Sequence, residues 1–143
     1  VYARLPADDF ALRGTGAWLA VARDLRAFAQ GRAVGAPKLR LFHPDVATHG
    51  YDSPHTVLQI ANDDMPFLVD SVSMALAERG IGIHLLIHPV IDRESLMHLE
   101  IDRQSPEDFP GVAQAIEAAL GDVRACVQDW AAIAPTLVAH RRP

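Results

Sequence analysis

Between Thr56 and Ile91 the hydrophobic period of the chain changes twice. Leu58 and Ile60 alternate with Val57, Gln59 and Ala61, the two-residue period of a pleated strand. Asp63-Asp64-Met65-Pro66 follows, where either Asp suits a helix N-cap and Pro66 suits the first turn. Met65, Leu68, Val69, Val72, Ala75 and Leu76 then recur at helical spacing, and Gly80 marks a left-handed helix stop. From Ile81 the period returns to two. Ile81, Ile83, Leu85, Ile87 and Ile91 share one face, with His84, Leu86, His88 and Val90 on the other. The stretch predicts strand, helix, strand, with the helix packed on one side of a sheet.

The flanks extend this unit. Val1–Pro6 reads as a short apolar edge strand. Trp18, Val21, Ala22, Leu25 and Phe28 form a helical stripe within Thr15–Gln30, stopped at Gly31. Lys38–His43 alternates as a strand ended by Pro44, and Asp45–Pro54 reads as a loop. Downstream, Asp92–Ser95 forms a short polar turn into a strand from Leu96 to Arg103, hence an antiparallel hairpin. Ser105 and Asp108 give a capping-box pattern before a helix that turns Val112, Ile116, Leu120, Val123 and Val127 inward. Cys126 falls beside that stripe and reads as core or half-core. Asp129 starts a last helix, kinked or broken near Pro135.

The order strand, strand, helix, strand, strand, helix supplies most of a ferredoxin-like βαββαβ plate but lacks its last strand. Lys38–His43 can take that place by pairing with Val57–Asn62. The predicted class is α+β: an antiparallel sheet with helices on one face, rearranged in this way, plus an extra N-terminal helix. Residues 1–36 are read as an extension, 37–130 as the plate, and 131–143 as the start of a helical linker.

Composition narrows the function classes. The chain has 143 residues, half of them hydrophobic, which suffices for one domain with a core. A formal charge of −5 argues against nucleic-acid binding, which needs a basic face. No apolar run approaches a membrane span, and a single cysteine fits a reducing, cytoplasmic setting. The chain opens at Val1 without Met, as expected of a piece of a longer protein.

SPHTVLQIANDDMPFLVDSVSMALAERGIGIHLLIHPVI, followed by ESLMHLEIDR, resembles the N-terminal region of the very large bacterial NAD-specific glutamate dehydrogenases. PKLRLFHP and VRACVQDW extend the resemblance over most of the chain. It implies an ACT-like plate in a cytoplasmic, oligomeric parent enzyme. That parent converts L-glutamate to 2-oxoglutarate and ammonia with NAD, in a domain far from this piece. It also implies an amino-acid effector near the turn after the first strand of the plate, although Phe67 stands where such sites usually have Gly. The family usually carries a longer insert where this chain has only Asp92–Ser95.

The residues themselves offer little catalytic chemistry, and no catalytic residue, cofactor site or metal site is expected. Gly80-Ile81-Gly82 follows a helix, the wrong order for a dinucleotide-binding turn. His84, His88 and His98 are the sharpest metal candidates, yet His84 and His88 on one strand lie about 13 Å apart. Asn62, Asp63, Asp64, Met65, Pro66 and Phe67 could offer amides to a carboxylate and a carboxylate to an ammonium. Arg40, Phe42, His84, Leu86, His88 and His98 point away from the predicted helices. They form a half-apolar face to be covered by a second copy or by other domains of the parent. A non-catalytic regulatory or assembly module is therefore expected, with no nucleic-acid or membrane partner. The alternative is a free-standing small-molecule- or metal-binding module; the length of the native reading frame separates the two.

Overall fold

A computed structural model describes the backbone of residues 7–141 and the side chains of residues 14–133. The proposed Val1–Pro6 strand lies outside the described residues. Five strands form one antiparallel sheet: β1 (Lys38–Phe42), β2 (Thr56–Asp63), β3 (Ile83–Ile87), β4 (Val90–Ile91) and β5 (Glu94–Ile101). Their spatial order is β1-β2-β5-β3, with β4 also paired to β5. β1 thus lies beside β2, with Leu39 opposite Ile60 and Leu41 opposite Leu58.

The helices are α1 (Ala7–Ala29), α2 (Val46–His49), α3 (Leu68–Glu78) and α4 (Phe109–Arg141). α3 and α4 lie on one face of the sheet, because alternation and helical period aim their apolar residues at each other. Leu58, Ile60, Met97, Leu99 and Ile101 from the strands meet Leu68, Val72, Leu76, Val112, Ile116 and Leu120 in one buried cluster. α3 ends in a Schellman turn: Gly80 has φ +72°, and the N–H of Ile81 donates to the carbonyl of Leu76 at 3.0 Å.

The opposite face is covered from within the chain. α1, interrupted at Gly14 (φ 75°, ψ 163°), lays Val21, Leu25, Phe28 and Ala29 against Val57, Ala61 and Leu96. β2 and β5 are consequently buried on both sides for almost their whole length.

Several local expectations change. A register shift between Ile83 and Leu85 breaks the strict alternation of β3, so Leu86 pairs with Leu99 and enters the α3/α4 core, while Leu85 pairs with Glu100. The loop after β1 contains α2, capped by Asp45, whose carboxylate accepts from the N–H of Thr48 at 2.7 Å. Ser105 makes no side-chain cap; its carbonyl instead accepts from the N–H of Asp108 in a 3₁₀ turn, Pro106–Asp108. α4 runs unbroken past Pro135 to Arg141, and Cys126 is exposed because Val123 and Val127 take the inward positions.

Val72→Asp is expected to unfold or aggregate the chain. Val72 is 1% exposed, and an unpaired buried carboxylate costs several kcal/mol against a typical stability of about 5–15 kcal/mol. A thermal melt by circular dichroism checks this; a variant melting within about two degrees of the parent contradicts the packing of α3.

Candidate functional site

The turn between β2 and α3 is held by side chains that the sequence spreads widely. Asp63, at the end of β2, accepts from Arg32 Nη2 at 2.9 Å and from the N–H of Gly35 at 3.0 Å, and Arg124 of α4 approaches within 3.5 Å. Arg32 also bonds Glu94 through Nε at 2.6 Å and the carbonyl of Ala36 through Nη1 at 2.8 Å. With its side chain 5% exposed, Arg32 is a buried fork fastening the loop after α1 to the ends of β2 and β5. The bond from Arg32 holds the Asp63 carboxyl below the usual carboxylate range, outweighing the opposing effect of partial burial.

Asp63 and Asp64 are therefore not the helix cap expected of them. Asp64 accepts from Ser95 Oγ at 2.7 Å, and its N–H donates to the carbonyl of Arg93 at 2.8 Å. Ser95 Oγ in turn lies 3.2 Å from His88 Nε2; since its proton is committed to Asp64, His88 is the donor. Burial pushes the His88 pKa below its ordinary value despite nearby Asp64. Asn62 is buried and bonds the carbonyl of Asp63. The N-cap position of α3 belongs to Phe67, which adopts a left-handed φ of 71° with no side-chain cap and is 67% exposed. A bulky residue in that conformation costs roughly 1–3 kcal/mol, and it sits where glycine would fit without strain. Pro66 and Asp64 are exposed, so the turn presents Asp64, Pro66 and Phe67 outward, while Met65 packs partly against the core and Asn62 and Asp63 face inward bonds.

On the α1 side of this turn opens a cleft of ≈ 650 Å³. The end of α1, the loop after it and the β4–β5 turn wall it, bringing Arg26, Val34, Ile91 and Arg93 around Asp64. The turn itself is two residues, Asp92 and Arg93, at φ 51° and 65°, the geometry of a tight type I′ hairpin.

The residues read as an interface divide among separate environments. Arg40 stacks between the rings of Phe28 and Phe42 and pairs with Asp24 of α1 at 2.8 Å. His98 is fully buried under α1; Leu86 lies in the α3/α4 core. These two are corrected: the chain's own helices already cover them. Phe42 packs partly against Val21 and Tyr51, leaving His84 and His88 nearer the surface. His84 bonds Asp102 Oδ1 at 2.7 Å and stacks on His55 with centroids 4.0 Å apart. The three candidate histidines are thus dispersed, and no group of three metal-ligating side chains occurs among the described residues.

Beneath α1 runs a buried polar seam absent from the sequence reading. Gln59 accepts from Arg40 Nε at 2.8 Å, and its Nε2 lies 2.9 Å from His98 Nδ1. Because that amide nitrogen can only donate, His98 Nδ1 is the acceptor and a neutral ring carries its proton on Nε2, on the side of Glu100 at 3.9 Å. Tyr51 donates to Asp24 at 2.7 Å, and Ser53 to Glu100 at 2.8 Å; burial raises the Tyr51 pKa strongly. Arg32, Glu94, Ser95 and Arg124 also escaped sequence reasoning. The available signal was Arg32 itself, one long cation in a loop of Ala, Gly and Val.

Two measurements follow from this geometry. Arg32→Ala is expected to lower stability by about 2 kcal/mol, below the figure for a fully buried pair because Asp63 and Glu94 are partly exposed. Arg32→Lys should recover little, since an ammonium cannot reproduce the fork. Urea denaturation midpoints check both. Stability should also fall in two steps with acid. His43 and His88 have lowered pKa values, so the unfolded chain takes their protons first and stability drops as pH falls below about 6.5. The stability from Asp63, present above an unfolded value of about 3.9, is lost as pH falls from there through its lower folded value. His88→Gln should shrink the upper step in melting temperature against pH and leave the lower one.

Comparison with known proteins agrees with the plate. The family model described as the glutamate dehydrogenase ACT1 domain matches residues 1–93. Over 90% of the chain it is 31% identical to an NAD-specific glutamate dehydrogenase of Halomonas elongata, and over 66% it is 36% identical to that of Pseudomonas aeruginosa. The matched stretch spans only 10% and 7% of those two relatives. With more than half its length matched by the family model, this chain belongs to the glutamate dehydrogenase ACT1 domain family.

Proposed function

We propose that this chain is a non-catalytic regulatory and assembly module of an NAD-specific glutamate dehydrogenase. The parent enzyme oxidatively deaminates L-glutamate to 2-oxoglutarate and ammonia with NAD, as a cytoplasmic oligomer. The carrying observation is the match to enzymes of that name over only a tenth or less of their length, within an ACT-type family. The chain's own residues favour the same reading. The β2–α3 turn, where a nucleotide-binding fold would place a Gly-rich phosphate loop, holds Asp64-Met65-Pro66-Phe67 instead. Asp64, Pro66 and Phe67 are the part of the turn open to an effector. Other domains of the parent and a second copy of the chain are the partners, meeting the sheet edge near His84 and His88. Residues 1–36, 37–130 and 131–143 serve in this reading as extension, plate and start of the connection onward.

Two assays test it together. The purified chain should give no glutamate-dependent formation of NADH. The full-length enzyme lacking this segment should keep measurable turnover while its subunit assembly or response to amino acids changes. Turnover by the chain alone, free of host dehydrogenase, would refute the non-catalytic reading. A deleted enzyme with unaltered assembly and amino-acid response would refute the regulatory one.

A further inference from the structure

The polar seam beneath α1 is a chain of hydrogen bonds that runs in only one direction. Arg40 Nε carries a proton and no lone pair, so the Gln59 atom it meets at 2.8 Å is Oε1. That fixes the amide, and Gln59 Nε2 turns to His98 Nδ1 at 2.9 Å and to Asp24 of α1 at 3.3 Å. His98 Nδ1 must then present a lone pair. An imidazolium carries a proton on each nitrogen and has none to present. Turning Gln59 over would seat the second proton, but it would set the amide N–H groups against Arg40 Nε. Arg40 is itself held by Asp24 at 2.8 Å and lies between the rings of Phe28 and Phe42. Asp24 and Phe28 belong to α1, so the seat of that helix is what yields when the ring is charged.

The remaining groups around the ring do not relieve this conflict. Tyr51 meets His98 edge-on with centroids 5.9 Å apart, and His49 stands beyond it at 6.1 Å from Tyr51. β3 places Ile87 opposite His98 and Leu85 opposite Glu100. Glu100, at 3.9 Å, faces Nε2, where the neutral ring already carries its proton. His98 is fully buried, so water does not reach Nδ1. On the other face of the same strands Leu58, Ile60, Met97 and Leu99 meet α3 and α4, and none of these side chains titrates. Acid therefore acts on one face of the sheet and spares the other.

We propose that His98 is a proton-sensitive latch whose protonation releases α1 from the sheet while α3 and α4 stay packed. The closed form admits only the neutral ring, whereas the released form lets it take a proton at an ordinary value of about 6.5. Closure is at full strength above that pH and weakens by about tenfold for each unit below it. Release uncovers Arg40, Gln59, His98 and Glu100, groups that water can satisfy.

The test is amide hydrogen exchange of the ¹⁵N-labelled chain between pH 7.5 and 5, with the His98 ring nitrogens followed in the same samples. Protection factors from Val21 to Phe28 should fall at least about tenfold further than those from Leu68 to Glu78. The ring should show the Nε2–H tautomer, with no imidazolium while α1 remains protected. His98→Asn keeps an acceptor for Gln59 but takes no proton, so protection in α1 and α3 should change in parallel. An imidazolium at His98 under a still-protected α1 would overturn the proposal, and that observation needs no variant to fold. The same excess loss in His98→Asn would also overturn it, as would equal losses at α1 and α3 in the parent chain.

Discussion

Burial of the β2–β5 pair on both faces is the constraint from which the remaining structure follows. A strand pair covered on one side can leave its other side to water. Here α3 and α4 close one face and α1 the other. Every polar group on the second face must then find a partner inside the protein. Gln59, His98 and Glu100 sit there, and the chain brings Asp24, Arg40, Tyr51 and Ser53 to meet them. The seam positions α1 more specifically than apolar contact could, because Asp24 must reach Arg40, Tyr51 and Gln59 at once.

The same constraint explains Arg32. At the end of β2 the apolar cover runs out, and Asp63 and Glu94 would face each other across the sheet as like charges. The guanidinium between them turns that repulsion into a fastening and fixes the loop after α1. The cleft exists because the loop is held there: its wall is the stretch that Arg32 anchors. The structural charges and the exposed ones occupy adjacent positions, so the rim can be altered without disturbing the bonds beneath.

Much of the plate was legible in the sequence because period is local. The stripes of α3 and α4 and the alternation of β2 and β5 are set by neighbours within a few residues, and Gly80 marked its stop for a backbone reason. What escaped depends on distant pairing. The register shift in β3 is dictated by β5, and it alone moves Leu86 from the outer face to the core. Asp63 and Asp64 looked like caps because nothing nearby shows that Arg32 and Ser95 claim them from 31 residues away in each case. The half-apolar outer face is readable in the alternation, whereas the cover expected for it is a second copy or another domain. The stripe of Trp18, Val21, Leu25 and Phe28 was already in hand, and only the tertiary structure shows that it and the face are complementary. Of the candidate site, the turn was located; the cleft, built from three separated segments, was not.

Arg124 is the point at which α4 touches the end of β2, and the helix continues for another 17 residues, from Arg124 to Arg141. At 1.5 Å per residue that is a helical stretch of about 26 Å. A tilt of about 5° at Arg124 would displace its tip by about 2 Å. Asp63 is thus gripped by the loop that walls the cleft on one side and by α4 on the other.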